Sequence, residues 1–307
     1  MKRATFLLFI LLVSSSSFAT EGKLNAPGGR IWYNIQGESG ATPLVVIHGG
    51  PGGSSCALKP LNALASNRQV IFYDQLGAGK SDQPTDVSLW QINRFVDELK
   101  VLLQSLHLTK VHLLAHSWGA AIAGQYLIDN GTEGIASVIY VGPYLSSKDW
   151  IEGTNILRKQ LPPKIQSVLA KHEKAGTTSS DEYQQASEEF YKKFLFHHPF
   201  KDNGDCADSA WNQSIYEHMW GDSEFMVTGN LKDFDAATHL EKIQIPTLFL
   251  VGEFDEARAE TVKKYQQHMT NAQVTVLKNA AHMSMIDEPK AFIATVNDFL
   301  NRVDNRK

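Results

Sequence analysis

The sequence has little of what a disulfide-stapled, nucleic-acid-binding or membrane-spanning protein would need. Its 307 residues include only two cysteines, whereas the chain is long enough to bury a large hydrophobic core. The 29 Lys and Arg residues are outnumbered by 33 Asp and Glu residues, the formal charge is -4, and no basic block is present, so a nucleic-acid partner is not expected. The longest apolar run near the N-terminus covers residues 6–13, which is well short of the roughly 20 residues of a membrane span.

This run belongs to an N-terminal segment with the features of a secretory signal peptide. Lys2 and Arg3 precede the run, and residues 14–19 supply small residues that end in Ser-Phe-Ala. We therefore expect residues 1–19 to be removed and the mature chain to be exported to the periplasm or the medium. No membrane partner is expected after removal of the signal peptide.

Export would place both cysteines in an oxidising compartment, where a disulfide can form. We predict that Cys56 and Cys206 are bonded to each other, and the alternative is two free thiols that lie far apart. Neither cysteine has a His or Cys neighbour at metal-ligand spacing, and the His pair at 197–198 has no partner motif. No metal site is therefore predicted.

The first part of the mature chain alternates apolar runs rich in Val, Ile and Leu with helical patterns. Strands are predicted at residues 30–35, 44–48, 69–73, 111–115 and 135–141, and helices at 89–106 and 120–128. Nearly continuous apolar strands are typical of a parallel sheet that helices cover on both faces. Residues 20–143 are therefore predicted to form the first part of an α/β core.

The pattern changes between residues 144 and 243, where polar, charged and aromatic residues dominate and helical spacing recurs, as at 183–196. The α/β alternation returns in residues 244–307. Strands are predicted there at 246–252 and 273–277, and helices at 258–269 and 289–303. A helical insertion of this kind is expected to cap the carboxyl ends of the strands, where parallel sheets bind ligands.

Ser117 is the candidate nucleophile. It follows the predicted strand at 111–115 in the sequence Ala-His-Ser-Trp-Gly and precedes a predicted helix. This strand-turn-helix context is that of a nucleophile elbow, in which Ala115 replaces the usual first glycine. Alanine is small enough for the turn, so the pattern predicts an exposed serine hydroxyl.

A serine nucleophile needs a general base and an acid that orients the base. Asp255 and His282 each follow a predicted strand, and with the serine they appear in the chain order expected for this arrangement. We predict that they complete a catalytic triad. Glu253 and Glu256 are the competing candidates for the acid.

Two backbone amides are predicted to stabilise the oxyanion that forms during attack. One belongs to Trp118, directly after the nucleophile, and the other to Gly50 in the glycine-rich loop at 48–53. Gly50 is favoured because a side chain there would block the substrate. These glycines and those before Lys80 do not have the spacing of a nucleotide-binding loop.

Three stretches together resemble the proline iminopeptidases of the α/β-hydrolase superfamily. They are His-Gly-Gly-Pro-Gly at 48–52, Asp-Gln-Leu-Gly-Ala-Gly-Lys-Ser at 74–81, and Ser-Trp-Gly at 117–119. The stretches at 220–225 and 228–231 are similar to the cap of tricorn-interacting aminopeptidases, so the resemblance covers most of the mature chain. It implies an α/β-hydrolase fold with a mostly parallel sheet and a helical cap inserted before the acid-bearing strand.

The resemblance also implies an activity, which is release of an N-terminal residue, often proline, from short peptides or amides through an acyl-enzyme and without a metal or cofactor. In that family carboxylates hold the free amine of the substrate, and the matching positions are Glu224 and Glu256. The main alternative is an amidase, esterase or lactonase on the same scaffold, because the cap sets the substrate. A non-catalytic ligand-binding protein is disfavoured by the intact triad residues.

Overall fold

The computed structural model describes residues 20–198 and 211–306. The predicted signal peptide at 1–19 and Cys206 lie outside these residues. No helix in the described part of the chain is both long and apolar enough to cross a membrane.

One sheet of eight strands forms the centre of the fold, with strand order β1-β2-β4-β3-β5-β6-β7-β8. The strands are β1 (Thr20–Ala26), β2 (Gly29–Gln36), β3 (Ala41–Ile47), β4 (Arg68–Tyr73), β5 (Val111–His116), β6 (Ile135–Val141), β7 (Thr247–Gly252) and β8 (Ala272–Leu277). The pairs β1–β2 and β2–β4 are antiparallel, and all other pairs are parallel. The predicted fold class, an α/β-hydrolase fold with a mostly parallel sheet, is confirmed.

Nine α-helices lie in the described residues: α1 (Ile92–Ser105), α2 (Trp118–Asn130), α3 (Ser147–Arg158), α4 (Pro163–Ala175), α5 (Asp181–Phe194), α6 (Gln213–Met219), α7 (Ala259–Gln267), α8 (Ser284–Asp287) and α9 (Pro289–Asp304). A 3-10 helix at Ser55–Ser66 follows β3. The helix predicted at 89–106 begins three residues later, because Val87–Leu89 forms a 3-10 turn and Gln91 has an extended backbone.

The alternation of side chains along each strand divides the core into two layers. In β3, Val45 and Ile47 pack on the face covered by α1, α2 and α7. Leu44 and Val46 pack on the opposite face with the 3-10 helix and α9. Both faces of the central strands are therefore buried, which explains their continuous apolar sequences.

Helices α3 to α6 lie between β6 and β7 in the chain and form the cap. Helices α3, α4 and α5 contribute to a separate hydrophobic cluster that includes Leu157, Leu169 and Phe190, whereas Ile215 and Met219 of α6 belong to the core of the sheet. Ser180 caps the N-terminus of α5 by accepting a hydrogen bond from the amide of Tyr183. Part of the cap therefore has its own core, and the end of α5 contacts the loop that carries His282.

Candidate active site

Ser117 lies in the sharp turn between β5 and α2. Its backbone has φ 54° and ψ -120°, in the left-handed half of conformational space that non-glycine residues rarely occupy. The Ser117 amide donates to Val141 O at 2.9 Å, at the end of the neighbouring strand. A Cβ at Gly119 would lie 2.4 Å from Ile47 O, so only glycine fits this position. The turn has the geometry of a nucleophile elbow.

His282 and Asp255 are joined by a hydrogen bond of 2.8 Å between Nδ1 and Oδ1, and both side chains are buried. The Asp255 carboxylate also accepts the amides of Ala257 at 2.8 Å and Gly252 at 3.3 Å. Because Oδ1 accepts from Nδ1, the hydrogen of the neutral imidazole is on Nδ1. This leaves Nε2 with a lone pair that can take a proton.

The two competing acids have different surroundings. Glu253 is exposed and accepts the amide of Asn279 at 3.2 Å. Glu256 is buried, but its Oε1 lies 3.7 Å from Nε2 of His282, on the side of the ring away from Asp255. The structure therefore brings Asp255, and neither glutamate, to the nitrogen that an orienting acid must bind.

Gly50, the second predicted oxyanion donor, lies where the backbone of the loop itself requires a glycine. Gly50 has φ 138°, and a Cβ there would lie 2.6 Å from Gly52 N and 2.7 Å from Gly53 N. A side chain would therefore collide with the backbone of its own loop, whatever space the substrate needs. The glycine is required by the path of the loop.

This loop crosses directly over the nucleophile. A Cβ at Gly49 would lie 3.1 Å from Ser117 Cβ and 2.9 Å from His116 Nδ1. Trp118 is the first residue of α2, and amides in the first turn of a helix have no partner within the helix. The two predicted oxyanion donors, Gly50 N and Trp118 N, thus belong to the segments that flank Ser117.

Gln75 joins these two segments, a role that the sequence analysis missed. Its side chain donates to His48 O at 2.9 Å and accepts from Trp118 Nε1 at 2.9 Å. The Gln75 amide donates to His48 Nε2 at 3.0 Å, and His48 Nδ1 donates to Gly49 O at 2.8 Å. This pattern requires a neutral imidazole, and burial lowers the pKa of His48 accordingly. The network holds the loop at 48–53, named the oxyanion loop for its predicted role, against the elbow.

Asp74 fixes the loop that follows β4. Its carboxylate accepts the amide and hydroxyl of Ser55 at 2.9 and 2.7 Å and the amide of Lys80 at 2.8 Å. A Cβ at Gly79 would lie 2.2 Å from Asp74 Oδ2. The motif at 74–81 was visible in the sequence, but only the structure shows that its Asp74 joins Ser55, after the loop at 48–53, to Lys80.

Glu224 and Glu256 approach the triad from the cap and from the loop after β7. Tyr216 donates from its hydroxyl to Glu224 Oε2 at 2.6 Å. Burial raises the pKa of Glu256 well above its usual range, and the charges of Glu224 and Asp255 raise this pKa further. Burial also raises the pKa of Glu224, partly offset by the hydrogen bond from Tyr216. The structure therefore brings both predicted amine-binding carboxylates close to each other.

Aromatic side chains of the cap segment line the same region. Trp150 meets His282 edge-on at 5.8 Å between ring centroids and Trp220 at 5.7 Å. Tyr144 lies 4.8 Å from Trp220, and Tyr216 stacks on Trp220 at 6.2 Å. The site thus combines an apolar aromatic wall with two carboxylates, as a substrate with an apolar ring and a cationic amine would require.

Only one of the two cysteines predicted to form a disulfide lies in the described residues. Cys56 is disulfide-bonded, whereas Cys206 lies outside the described residues. Within residues 20–198 and 211–306, no group of three or more His, Cys, Asp and Glu side chains is arranged to hold a metal ion.

The end of α5 is hydrogen-bonded to the loop that carries His282. The amide of His282 donates to Phe194 O at 3.1 Å, and the amide of Met283 donates to Leu195 O at 3.0 Å. The Asp287 carboxylate binds the amides of His198 at 2.9 Å and Ala281 at 2.8 Å. The cap and the predicted base are therefore connected by backbone contacts.

A second connection joins the cap to the oxyanion loop at Asn212. Its amide donates to Gly52 O at 2.9 Å, and its side chain donates to Gly77 O at 2.8 Å. A Cβ at Gly52 would lie 2.5 Å from Asn212 O, which explains why a glycine is needed there. The segment that leads into α6 is thus packed directly on the loop over Ser117.

Known proteins are similar to this chain in sequence and in fold. A family model described as the alpha/beta hydrolase fold matches residues 42–289. A proline iminopeptidase from Heyndrickxia coagulans is 42% identical over 294 residues, which cover 92% of this chain and 99% of that protein. The crystal structure of the proline iminopeptidase of Mycobacterium smegmatis has a TM-score of 0.84 and 28% identity, over 93% of this chain and 99% of that chain. The crystal structure of VinJ has a TM-score of 0.85 and 30% identity, over 92% of this chain and 99% of that chain. This chain therefore belongs to the proline iminopeptidase family of α/β-hydrolases.

Proposed function

We propose that this hydrolase is a serine aminopeptidase that releases an N-terminal proline from short peptides and amides through an acyl-enzyme. Membership of the family supports this activity, as does the serine, histidine and aspartate constellation. The observation that carries the choice of substrate is the placement of two carboxylates, Glu224 and Glu256, beside the triad under an aromatic wall. A site of this kind suits a ring that contains a charged amine.

In the proposed reaction Ser117 Oγ attacks the first carbonyl carbon of the substrate while Nε2 of His282 takes the hydroxyl proton. Asp255 holds Nδ1–H and stabilises the imidazolium that forms. The amides of Gly50 and Trp118 stabilise the oxyanion. His282 then donates its proton to the leaving amine, and water releases proline from Ser117 by the same steps.

The two glutamates would fix the position of the substrate. A protonated amine that enters a buried pocket loses hydration, and two carboxylates offset this loss through charge-assisted hydrogen bonds. Holding the amine there places the first carbonyl over Ser117 and leaves no room for a preceding residue. Correct placement of this kind lowers the barrier of the chemical step.

The experiment compares prolyl-naphthylamide with its N-acetyl derivative. Glu224→Gln and Glu256→Gln should each lower kcat/KM for the free-amine substrate at least tenfold, which corresponds to about 1.4 kcal/mol. N-acetylation should abolish cleavage by the unmodified enzyme. Glu217→Gln is the matched control for the cap, because Glu217 is an exposed residue of α6.

Equal cleavage of the acetylated and free-amine substrates would refute the aminopeptidase proposal and favour an amidase or esterase. Normal cleavage of free-amine substrates by both glutamate variants would refute the role of the carboxylates. A panel of other aminoacyl-naphthylamides would then define the preferred residue.

We also propose that the protein is exported, on the basis of the N-terminal sequence alone. Expression of the full chain in a Gram-negative bacterium should yield a periplasmic product that begins at Thr20 by mass spectrometry. A cytoplasmic product that retains residues 1–19 would contradict this localisation.

A further inference from the structure

Glu256 lies beside the atom on which the proposed reaction depends. Its Oε1 is 3.7 Å from His282 Nε2, the nitrogen that must accept the proton of Ser117. The side chains of Glu256 and His282 are only 2% and 3% exposed. The second oxygen, Oε2, is buried and has no hydrogen-bond partner among the described residues. A carboxyl group in this position is available both to the base and to a ligand.

Other charged groups around Glu256 do not neutralise it. Glu224 in the cap and Asp255 in the same loop add negative charge. Arg258, two residues further along the chain, forms its salt bridge with Glu260 at 3.1 Å. Within the described residues, no Lys or Arg nitrogen lies within salt-bridge distance of Glu256, and the only such contact is the one with His282.

Three carboxyl groups and one imidazole surround the side chain of His282. Asp255 is hydrogen-bonded to Nδ1, and Glu256 faces Nε2. Glu224, in the cap, interacts electrostatically with the imidazole. His116 packs against the ring at 4.8 Å between centroids, and its Nε2 lies 3.3 Å from His282 O. Burial lowers the pKa of His116 well below its usual range, so His116 adds no positive charge to the site.

Three neighbouring carboxyl groups in a buried site are not expected to ionise together without a cation. Burial and the two negative neighbours raise the pKa of Glu256, which favours the protonated form of this group. Glu256 Oε1 and His282 Nε2 are within salt-bridge distance at 3.7 Å, although not hydrogen-bonded, so the proton can reside on Glu256 or on His282. In the second arrangement the ion pair is complete, but the imidazole can no longer act as a base.

We propose that Glu256 and His282 share one proton in the free enzyme and that the ammonium group of the substrate displaces this proton. The inference rests on the proposed aminopeptidase function and adds a step to it. One positive charge enters between Glu224 and Glu256, and one proton leaves to solvent. Glu256 is then ionised against the ammonium group, and His282 is neutral with a free lone pair on Nε2.

This exchange makes the amine of the substrate a condition for activating the base. A substrate without an amine leaves the proton in place, so its hydrolysis requires a higher pH. Glu256 therefore acts as a positioning and specificity-determining residue, and it discriminates at the chemical step as well as in binding.

The first test measures hydrolysis of an aryl ester without an amine group as a function of pH. An opposite charge within 4–6 Å shifts a titration by about 1–3 pH units. Glu256→Gln should therefore raise kcat/KM for the ester about tenfold at about pH 6, with the two profiles converging towards pH 9. The matched control is Glu253→Gln, since Glu253 is in the same loop but exposed. An ester profile of Glu256→Gln that coincides with that of the unmodified enzyme, or lies below it, would overturn the inference.

The second test uses pyrrolidine, which supplies the ammonium group of proline without a carbonyl. Calorimetric titration at pH 7 in two buffers of different ionisation enthalpy counts the protons released on binding. We expect release of about one proton per bound pyrrolidine from the unmodified enzyme and almost none from Glu256→Gln. Binding without proton release in the unmodified enzyme would overturn the inference.

The two proposals fail in different ways. Equal cleavage of prolyl-naphthylamide and its N-acetyl derivative refutes the aminopeptidase function, and the shared proton loses its role with it. A strong preference for the free amine, combined with no proton release by pyrrolidine, refutes the shared proton alone and leaves the aminopeptidase function intact.

Discussion

Replacing Gly142 by alanine should disturb the catalytic base without removing any member of the predicted triad. Gly142 follows β6 and has φ 49°. A Cβ at this position would lie 2.7 Å from His282 Nδ1, 2.8 Å from His282 Cε1 and 3.0 Å from Asp255 Oδ2. The added methyl group would therefore push against both partners of the hydrogen bond that orients the base.

The size of the effect follows from these distances. The optimal separation of non-bonded heavy atoms begins at about 3.5 Å. The imidazole must therefore move by roughly 0.7 to 0.8 Å, or the backbone must shift by a similar distance. A displacement of about 1 Å in a catalytic group can cost about a hundredfold in rate. Loss of the hydrogen bond between Nδ1 and Asp255 would also allow the imidazole hydrogen to lie on Nε2, which would remove the lone pair that accepts the proton. We expect kcat to fall about a hundredfold, and labelling of Ser117 by a fluorophosphonate to slow by a similar factor.

Alanine in the left-handed region also carries a backbone cost of about 1–2 kcal/mol, which must be separated from the collision. Gly176→Ala provides the control, because Gly176 has φ 65° and its Cβ would meet no atom within 4 Å. Both variants should lose thermal stability, but only Gly142→Ala should lose activity. A Gly142→Ala enzyme that keeps more than half of the normal kcat would refute the packing described for His282.

Three further predictions concern the nucleophile, the cysteines and the buried glutamate. Ser117→Ala should lower kcat at least about a thousandfold, and retention of more than a tenth of normal turnover would exclude a serine hydrolase. Thiol titration of the denatured, unreduced mature chain should detect no free thiol from Cys56 and Cys206, because a bond that closes this loop would stabilise the fold by roughly 4 to 5 kcal/mol; two free thiols would contradict it. Glu256→Gln should raise Tm at pH 8 by roughly 2–4 °C for each kcal/mol gained, and much less at pH 4.5. The sign follows because the pKa of Glu256 is raised in the folded state, so the folded chain keeps a proton that the unfolded chain loses. The stability of the unmodified protein therefore falls as pH rises above the usual pKa of a glutamate. Equal Tm changes at both pH values would contradict this reasoning.

The parallel part of the sheet could be predicted from the sequence because burial on both faces selects continuous apolar strands. The first strand could not be predicted. Residues 20–26 read Thr-Glu-Gly-Lys-Leu-Asn-Ala, and the strand forms because it pairs along its whole length with β2 through a tight turn. Only Leu24 and Ala26 of this strand pack against the core, and the rest is held by backbone pairing at the edge of the sheet, so the sequence shows too weak a hydrophobic pattern for a prediction.

The predicted site residues illustrate the same limit. Chain order and strand ends predict a triad of Ser117, Asp255 and His282, and the structure brings these three residues to one end of the sheet. The supporting role of Gln75 could not be derived from the sequence, because it depends on a contact with Trp118, which lies more than 40 residues further along the chain. For Gly50, only the three-dimensional path of the loop shows that a side chain would also collide with the amides of Gly52 and Gly53.

The two connections between the cap and the core have a consequence for exchanging caps between related enzymes. The residues at 194–198 and at 211–212 are physically part of the cap chain, yet they hold the His282 loop and the oxyanion loop through backbone hydrogen bonds. A chimera that replaces everything between β6 and β7 would bring foreign supports to an unchanged triad. Junctions that keep both short segments with the core would let the cap helices vary while the loops at 48–53 and around His282 retain their original supports. The residues that support the catalytic loops and those free to set the substrate are therefore divided inside the cap sequence, not at its two ends.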